Sequence, residues 1–205
     1  MTSFHTSHET LIKTVKARLS PKRFEHTLGV CRMTEILAEQ CLPKRKNELA
    51  VAALLHDIAK ELTVEEQMQI ISKEHIILTP ADTTAVLHSY AAPYIVKNEF
   101  SDFATSDILS AVANHTVGAA DMSVFDEIIF LSDYIEEGRT YKDCVETREY
   151  VLSSLIDGNL EANLNVLHTA CVMSIDRTCK NLVEKGKIVN PRSLDAKEAL
   201  LSKIN

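Results

Sequence analysis

Apolar residues recur at steps of three and four along almost the whole of this 205-residue chain, and no alternating apolar–polar pattern persists. That period buries one stripe of a helix, so the chain is expected to pack helix on helix as an all-α fold. Few breakers interrupt it: there are five Gly and five Pro. The expected helices cover about 7–19, 22–41, 45–58, 64–73, 84–99, 105–114, 124–136, 140–156, 159–184 and 193–203. Ser20-Pro21 separates the first two. Thr63 with Glu66 has the form of a capping box, Ser123 suits an N-cap, and Gly138 ends the helix before it. Segments 74–83 and 116–122 read as loops. The length suits one domain, which would bury about 70% of the unfolded chain's surface. Its core is expected over about 15–180, with a C-terminal helical extension over about 181–205.

The net charge of −7 argues against a nucleic-acid partner held by the overall field. There is no apolar run long enough for a transmembrane helix and no signal-like N-terminus. Cys31, Cys41, Cys144, Cys171 and Cys179 are odd in number, contain no CxxC, and read as reduced residues of a cytoplasmic protein. His5 and His8 read as loose surface residues near a chain end. The stripe Leu160, Leu164, Leu167, Cys171 and Ile175 is expected to complete the core, with a homodimer face as the alternative.

The chemistry concentrates in a few residues. Val51 to Leu55 form an apolar run that ends in His56-Asp57. A buried carboxylate is costly unless it is paired or coordinated. His26, His88 and His115 fall on the apolar stripes of three other expected helices, and Asp133 follows the apolar run Ile128 to Leu131. Helices that each aim one such residue inward can converge on a shared metal site. Imidazole and carboxylate together suit Fe, Mn, Co or Zn. No glycine-rich phosphate loop is present.

The ordered set His26, His56-Asp57 and Asp133 resembles the signature of the HD-domain superfamily, and His88 and His115 match its two-metal subset. The segments Arg23–Val30, Ala53–Lys60, Leu87–Ser89, Asn114–Gly118 and Asp133–Arg139 resemble the YqeK-type family, over about residues 15–180. The resemblance implies a helical bundle around a metal centre. The implied activity is symmetrical cleavage of diadenosine tetraphosphate to two ADP by attack of a metal-bound hydroxide. Two divalent metals are implied, iron first and Mn, Co or Zn otherwise. His26, His56, Asp57 and Asp133 would hold one, and Asp57, His88 and His115 the other. Asp57 and Lys60 would be catalytic, while Arg23, Lys60, Thr116 and Arg139 would meet the substrate's phosphates. His75 and His168 match no motif position and are expected to be structural. Val117 and Glu137 depart from the pattern, where a hydroxyl residue and a proline are expected. Another HD-domain nucleotide phosphatase or phosphodiesterase is the nearest alternative, and a di-iron oxygenase a more distant one.

Overall fold

The structure is a computed structural model that describes residues 8–204, and no strand occurs among them. Ten α-helices are present among the described residues. They are α1 (Glu9–Arg18), α2 (Pro21–Cys41), α3 (Lys46–Leu55), α4 (Val64–Lys73), α5 (Leu87–Glu99), α6 (Ser106–Asn114), α7 (Val124–Ile135), α8 (Lys142–Ser154), α9 (Leu160–Glu184) and α10 (Pro191–Leu201). No helix among the described residues is long and apolar enough to cross a membrane. The expectation for His5 lies outside them; His8 is not loose but sets its ring edge-on to Phe103, centroids 6.4 Å apart.

Local chemistry sets most helix starts. Ser20 accepts from the Arg23 amide, with Pro21 at the first helical position. Thr63 and Glu66 form the reciprocal capping box, and Ser123 with Asp126 forms a second one. Several boundaries differ from expectation by two or three residues, α5 starting at Leu87 and α8 spanning Lys142–Ser154 among them, and two have a clear local cause. The helix expected over 45–58 stops at Leu55, and the chain continues through i+3 turns from Leu55 to Leu62 that carry His56, Asp57 and Lys60. The last helix starts at Pro191, because Asn190 caps it by accepting from the Arg192 amide.

α7 lies at the centre, against α2, α6 and α9, and every residue from Phe125 to Ser132 is buried. α3 packs on α2 and α7, and Leu49, Leu54 and Leu55 are fully covered. Each such side chain contributes roughly 1.5–3 kcal/mol by leaving water. Of the α9 stripe, Leu167, Cys171 and Ile175 are core, whereas Leu160 is exposed at the helix start. All five cysteines are free and only Cys179 is not buried. α10 is clamped back onto the body: Ala196 and Leu200 are buried, Ser193 donates to the Val117 carbonyl, and Arg192 donates to Asn114.

Candidate metal centre

Six side chains from five parts of the chain meet beneath α2. His26 comes from α2, His56 and Asp57 from the turn after α3, His88 from the first turn of α5, His115 from the end of α6 and Asp133 from α7. His26 Nε2 stands 2.9 Å from Asp133 Oδ1 and 3.7 Å from Asp57 Oδ2. His88 Nε2 lies 3.3 Å from Asp57 Oδ1 and 3.2 Å from His115 Nε2. His56, Asp57, His88 and His115 are each no more than 3% exposed. The imidazoles form a row, His26 to His56 to His115 to His88, with successive centroids 5.6, 5.1 and 5.2 Å apart.

Neighbouring groups fix which nitrogen of three rings faces inward. A carbonyl can only accept, so His56 Nδ1, 2.7 Å from the Ala53 carbonyl, is the nitrogen that carries a proton. The same holds for His115 Nδ1 against Val112, at 2.8 Å. His26 Nδ1 lies 3.1 Å from Glu136 Oε1. Each arrangement turns Nε2 towards the cluster, as ligating imidazoles require. His88 lacks such a partner; Lys60 Nζ stands 3.2 Å from both of its ring nitrogens instead.

Electrostatics agrees with a cation-seeking site. Burial alone would raise the Asp57 carboxyl, but His56 and His115 outweigh it and hold Asp57 well below the carboxylate range. Asp133 is likewise held low against its burial, by His26 and Arg139. Burial, assisted by His115, pushes His88 down to about 2. His26 goes the other way: burial is the largest influence and lowers it, yet the adjacent carboxylates Asp133 and Glu136 together lift it to about 9.

The donor set fits a metal. The Nε2 atoms of His26 and His56 are buried without a hydrogen bond. The 2.9 Å approach of His26 Nε2 to Asp133 Oδ1 is therefore close but misaligned. We take that geometry as the side-by-side spacing of two ligands, since atoms about 2.0–2.2 Å from one centre stand about 3 Å apart. His26, His56 and Asp133 offer one set of ligand atoms within 4.8 Å of one another, and His56, Asp57 and His115 a second. His88 belongs to neither tight set; it joins through its contacts to Asp57 and His115.

The residues expected at phosphate all border this cluster. Arg23 Nη1 lies 2.8 Å from Asp57 Oδ2, and Arg139 Nη2 2.7 Å from Asp133 Oδ1. Thr116 Oγ1 is 3.2 Å from His88 Nε2 and 3.0 Å from His115 Nε2. Burial lowers Lys60 from its ordinary value. Arg23 and Arg139, with His26, Lys22, Arg32 and Tyr141, line a pocket of about 610 Å³. Sequence reading passed over Glu136, a buried carboxylate that also accepts from the Gly138 amide at 2.6 Å. It passed over Arg148 too, whose guanidinium donates to the carbonyls of Ile135, Glu136 and Arg139 and so shapes the turn. His75 lies away from the centre in a left-handed conformation, φ 54°. His168 pairs with buried Glu127 at 2.6 Å.

Residues 23–138, more than half of the chain and the stretch that contains all six candidate ligands, match the HD domain family. The chain belongs to the HD-domain family. Members are helical, metal-dependent phosphohydrolases. Among HD-domain relatives, a Bacillus subtilis protein named bis(5'-nucleosyl)-tetraphosphatase, symmetrical, is 31% identical over 90% of this chain and 92% of its own length. A Mycoplasma genitalium protein named probable nicotinate-nucleotide adenylyltransferase/Ap4A hydrolase is 36% identical, but the chain spans only 38% of that relative's length. A crystal structure of a Clostridium acetobutylicum protein, described as a predicted HD superfamily hydrolase involved in NAD metabolism, superposes with a TM-score of 0.81. It is 29% identical, covering 96% of this chain and 98% of that one.

Proposed function

We propose that this chain hydrolyses dinucleoside tetraphosphates symmetrically, releasing two nucleoside diphosphates, with two divalent metals of which iron is the first candidate. The observation that carries the reading is a buried His–Asp cluster bordered by Arg23, Lys60, Arg139 and Thr116. A cation-binding core ringed by cationic and hydroxyl donors suits a polyanion better than a neutral substrate. The symmetrical tetraphosphatase name of the Bacillus subtilis relative supplies the substrate.

His26, His56, Asp57 and Asp133 would hold one metal, and Asp57, His88 and His115 the other. Bound there, divalent metals supply Lewis acidity and make water available as hydroxide near neutral pH. The chain's own residues do the rest. A guanidinium carries five donors. Arg23 spends one on Asp57 and Arg139 two on Asp133, which leaves both able to receive phosphate oxygens from the shared pocket. Lys60, held against His88 and the Ala85 carbonyl, places positive charge at the opposite end of the histidine row. Thr116 offers a hydroxyl at that same end, against His88 and His115. The turn-borne His56-Asp57 pair is buried, which keeps bulk water from the carboxylate beside both ligand sets.

The test is product analysis. Protein loaded anaerobically with Fe(II) is incubated with diadenosine tetraphosphate, with Asp57→Ala as control. ADP as the sole product, lost in the control, is expected. AMP with ATP would keep a hydrolase but overturn symmetrical cleavage, and no turnover would overturn the substrate.

A further inference from the structure

A dinucleoside polyphosphate has two bases, and the pocket lined by Arg23 and Arg139 lies only at the His26 end of the histidine row. At the His88–His115 end a second cavity, of about 230 Å³, opens between α7, α9 and the turns before α5 and α10. Thr116 belongs to both: its hydroxyl touches His88 and His115, and it lines the cavity. Most of the wall is apolar, with Val86, Val117, Phe130, Ile175, Leu182 and Ile188, while Thr83, Thr178, Asn190, Ser193 and Lys187 add polar groups. Ile188 is 60% exposed on the lip.

We propose that this cavity seats the base of one nucleoside, so that the two halves of the substrate meet unlike pockets. The proposal rests on the dinucleoside polyphosphate reading above. Three features favour a base over phosphate or a whole nucleotide. Lys187, an exposed residue, is the one cation among the lining residues, and an apolar wall strips water from phosphate without repaying it. The volume falls below the ~300–1,000 Å³ of sites for drug-sized ligands, which suits one planar ring system. The walls are also held ready. Asn190 and Tyr90 both donate to Asp82 Oδ1, Arg192 donates to Asn114, and Ser193 donates to the Val117 carbonyl. These bonds fix α10 against the loop before α5 and the turn after α6. Ser193 and Asn190 are thus partly committed, and Thr178 supplies a further polar group at the rim.

Cys179 lines the cavity and is the one cysteine of the five that is not buried. Its alkylation by iodoacetamide, read by peptide mass spectrometry, reports occupancy without any turnover. The other four cysteines report whether the fold opens. On the metal-loaded protein, saturating ADP is expected to slow Cys179 alkylation about tenfold, while inorganic pyrophosphate leaves it unchanged, because only the base reaches the thiol. Thr178→Trp, which fills the cavity from an exposed position, is expected to raise KM for diadenosine tetraphosphate about tenfold, with kcat within about twofold. Equal protection by ADP and pyrophosphate would overturn the proposal, as would absence of ADP protection in protein that hydrolyses the tetraphosphate. In that last case the functional reading would stand. If the tetraphosphate is neither hydrolysed nor bound, the functional reading fails and the base seat falls with it.

Discussion

Glu136 Oε1 stands 3.1 Å from His26 Nδ1, across 110 residues of chain, and no other side chain approaches that nitrogen among the contacts of the site. The carboxylate is buried and is itself held by the Gly138 amide at 2.6 Å. It keeps the proton on Nδ1 and turns Nε2 into the cluster. A carboxylate behind a ligating histidine is typically worth ~10–100-fold in metal affinity. Glu136→Gln retains the shape and an acceptor oxygen but loses the charge. It is expected to weaken Fe(II) or Mn(II) binding by about tenfold, as read by chelator competition, with the circular dichroism spectrum unchanged. Unaltered affinity would remove Glu136 from the centre.

Gly29 exists for the sake of that same carboxylate. A Cβ on Gly29 would collide with Glu136 Oε2, and one on Gly138 would come within 3.0 Å of both carboxylate oxygens. In an open helix, alanine for glycine stabilises by about 0.5–1 kcal/mol. Here overlap with a buried, doubly held side chain should win, because overpacking costs roughly 1–3 kcal/mol. Gly29→Ala is therefore expected to lower the urea midpoint and to weaken metal binding together. A Gly29→Ala protein of raised stability and intact metal affinity would show that Glu136 moves aside freely.

Away from the centre, Glu127 is fully buried between His168 Nδ1 at 2.6 Å and Lys203 Nζ at 2.7 Å. This group ties α7 to α9 and to the residues that follow α10. Lys203 is partly exposed, so solvent screens some of the pair. Lys203→Met leaves a buried carboxylate with one fewer donor and is expected to cost about 1–3 kcal/mol in urea unfolding. Metal affinity should not change. A joint loss of both would mean that the far end of α9 and the metal centre unfold as one unit.

The sequence carried the helices and the ligands unequally well compared with their supports. Capping boxes at Thr63 and Ser123 are written in residues three apart, so they are local and legible. His88 and Asp133 stood out because polar residues on apolar stripes need a reason. Glu136 did not, because its partner His26 lies in another helix and a glutamate beside Glu137 and Gly138 resembles a solvated helix end. Residues 56–58 were read as the close of a helix, since i+3 and i+4 bonding share the same apolar spacing there. The role of α10 was likewise hidden: Asn190, Arg192 and Ser193 act through Asp82, Asn114 and Val117, more than 70 residues away.

The proposed phosphate role of Arg23 can be tested apart from metal binding. Its guanidinium pairs with Asp57 Oδ2 at 2.8 Å and also lines the larger pocket. Arg23→Met keeps an apolar stem and the backbone hydrogen bonds to Ser20 and Thr27 while the charge is lost. With Arg23 in its proposed phosphate role, this change is expected to raise KM for diadenosine tetraphosphate at least tenfold, about 1.4 kcal/mol of binding. Salt dependence of KM should also become shallower, because one fewer charge attracts the polyanion. Metal affinity is expected to hold or to tighten, since Asp57 loses a competitor for its oxygen. A fall in metal affinity with KM unchanged would place Arg23 as a brace for Asp57 and leave Arg139 and Lys60 as the phosphate-binding cations.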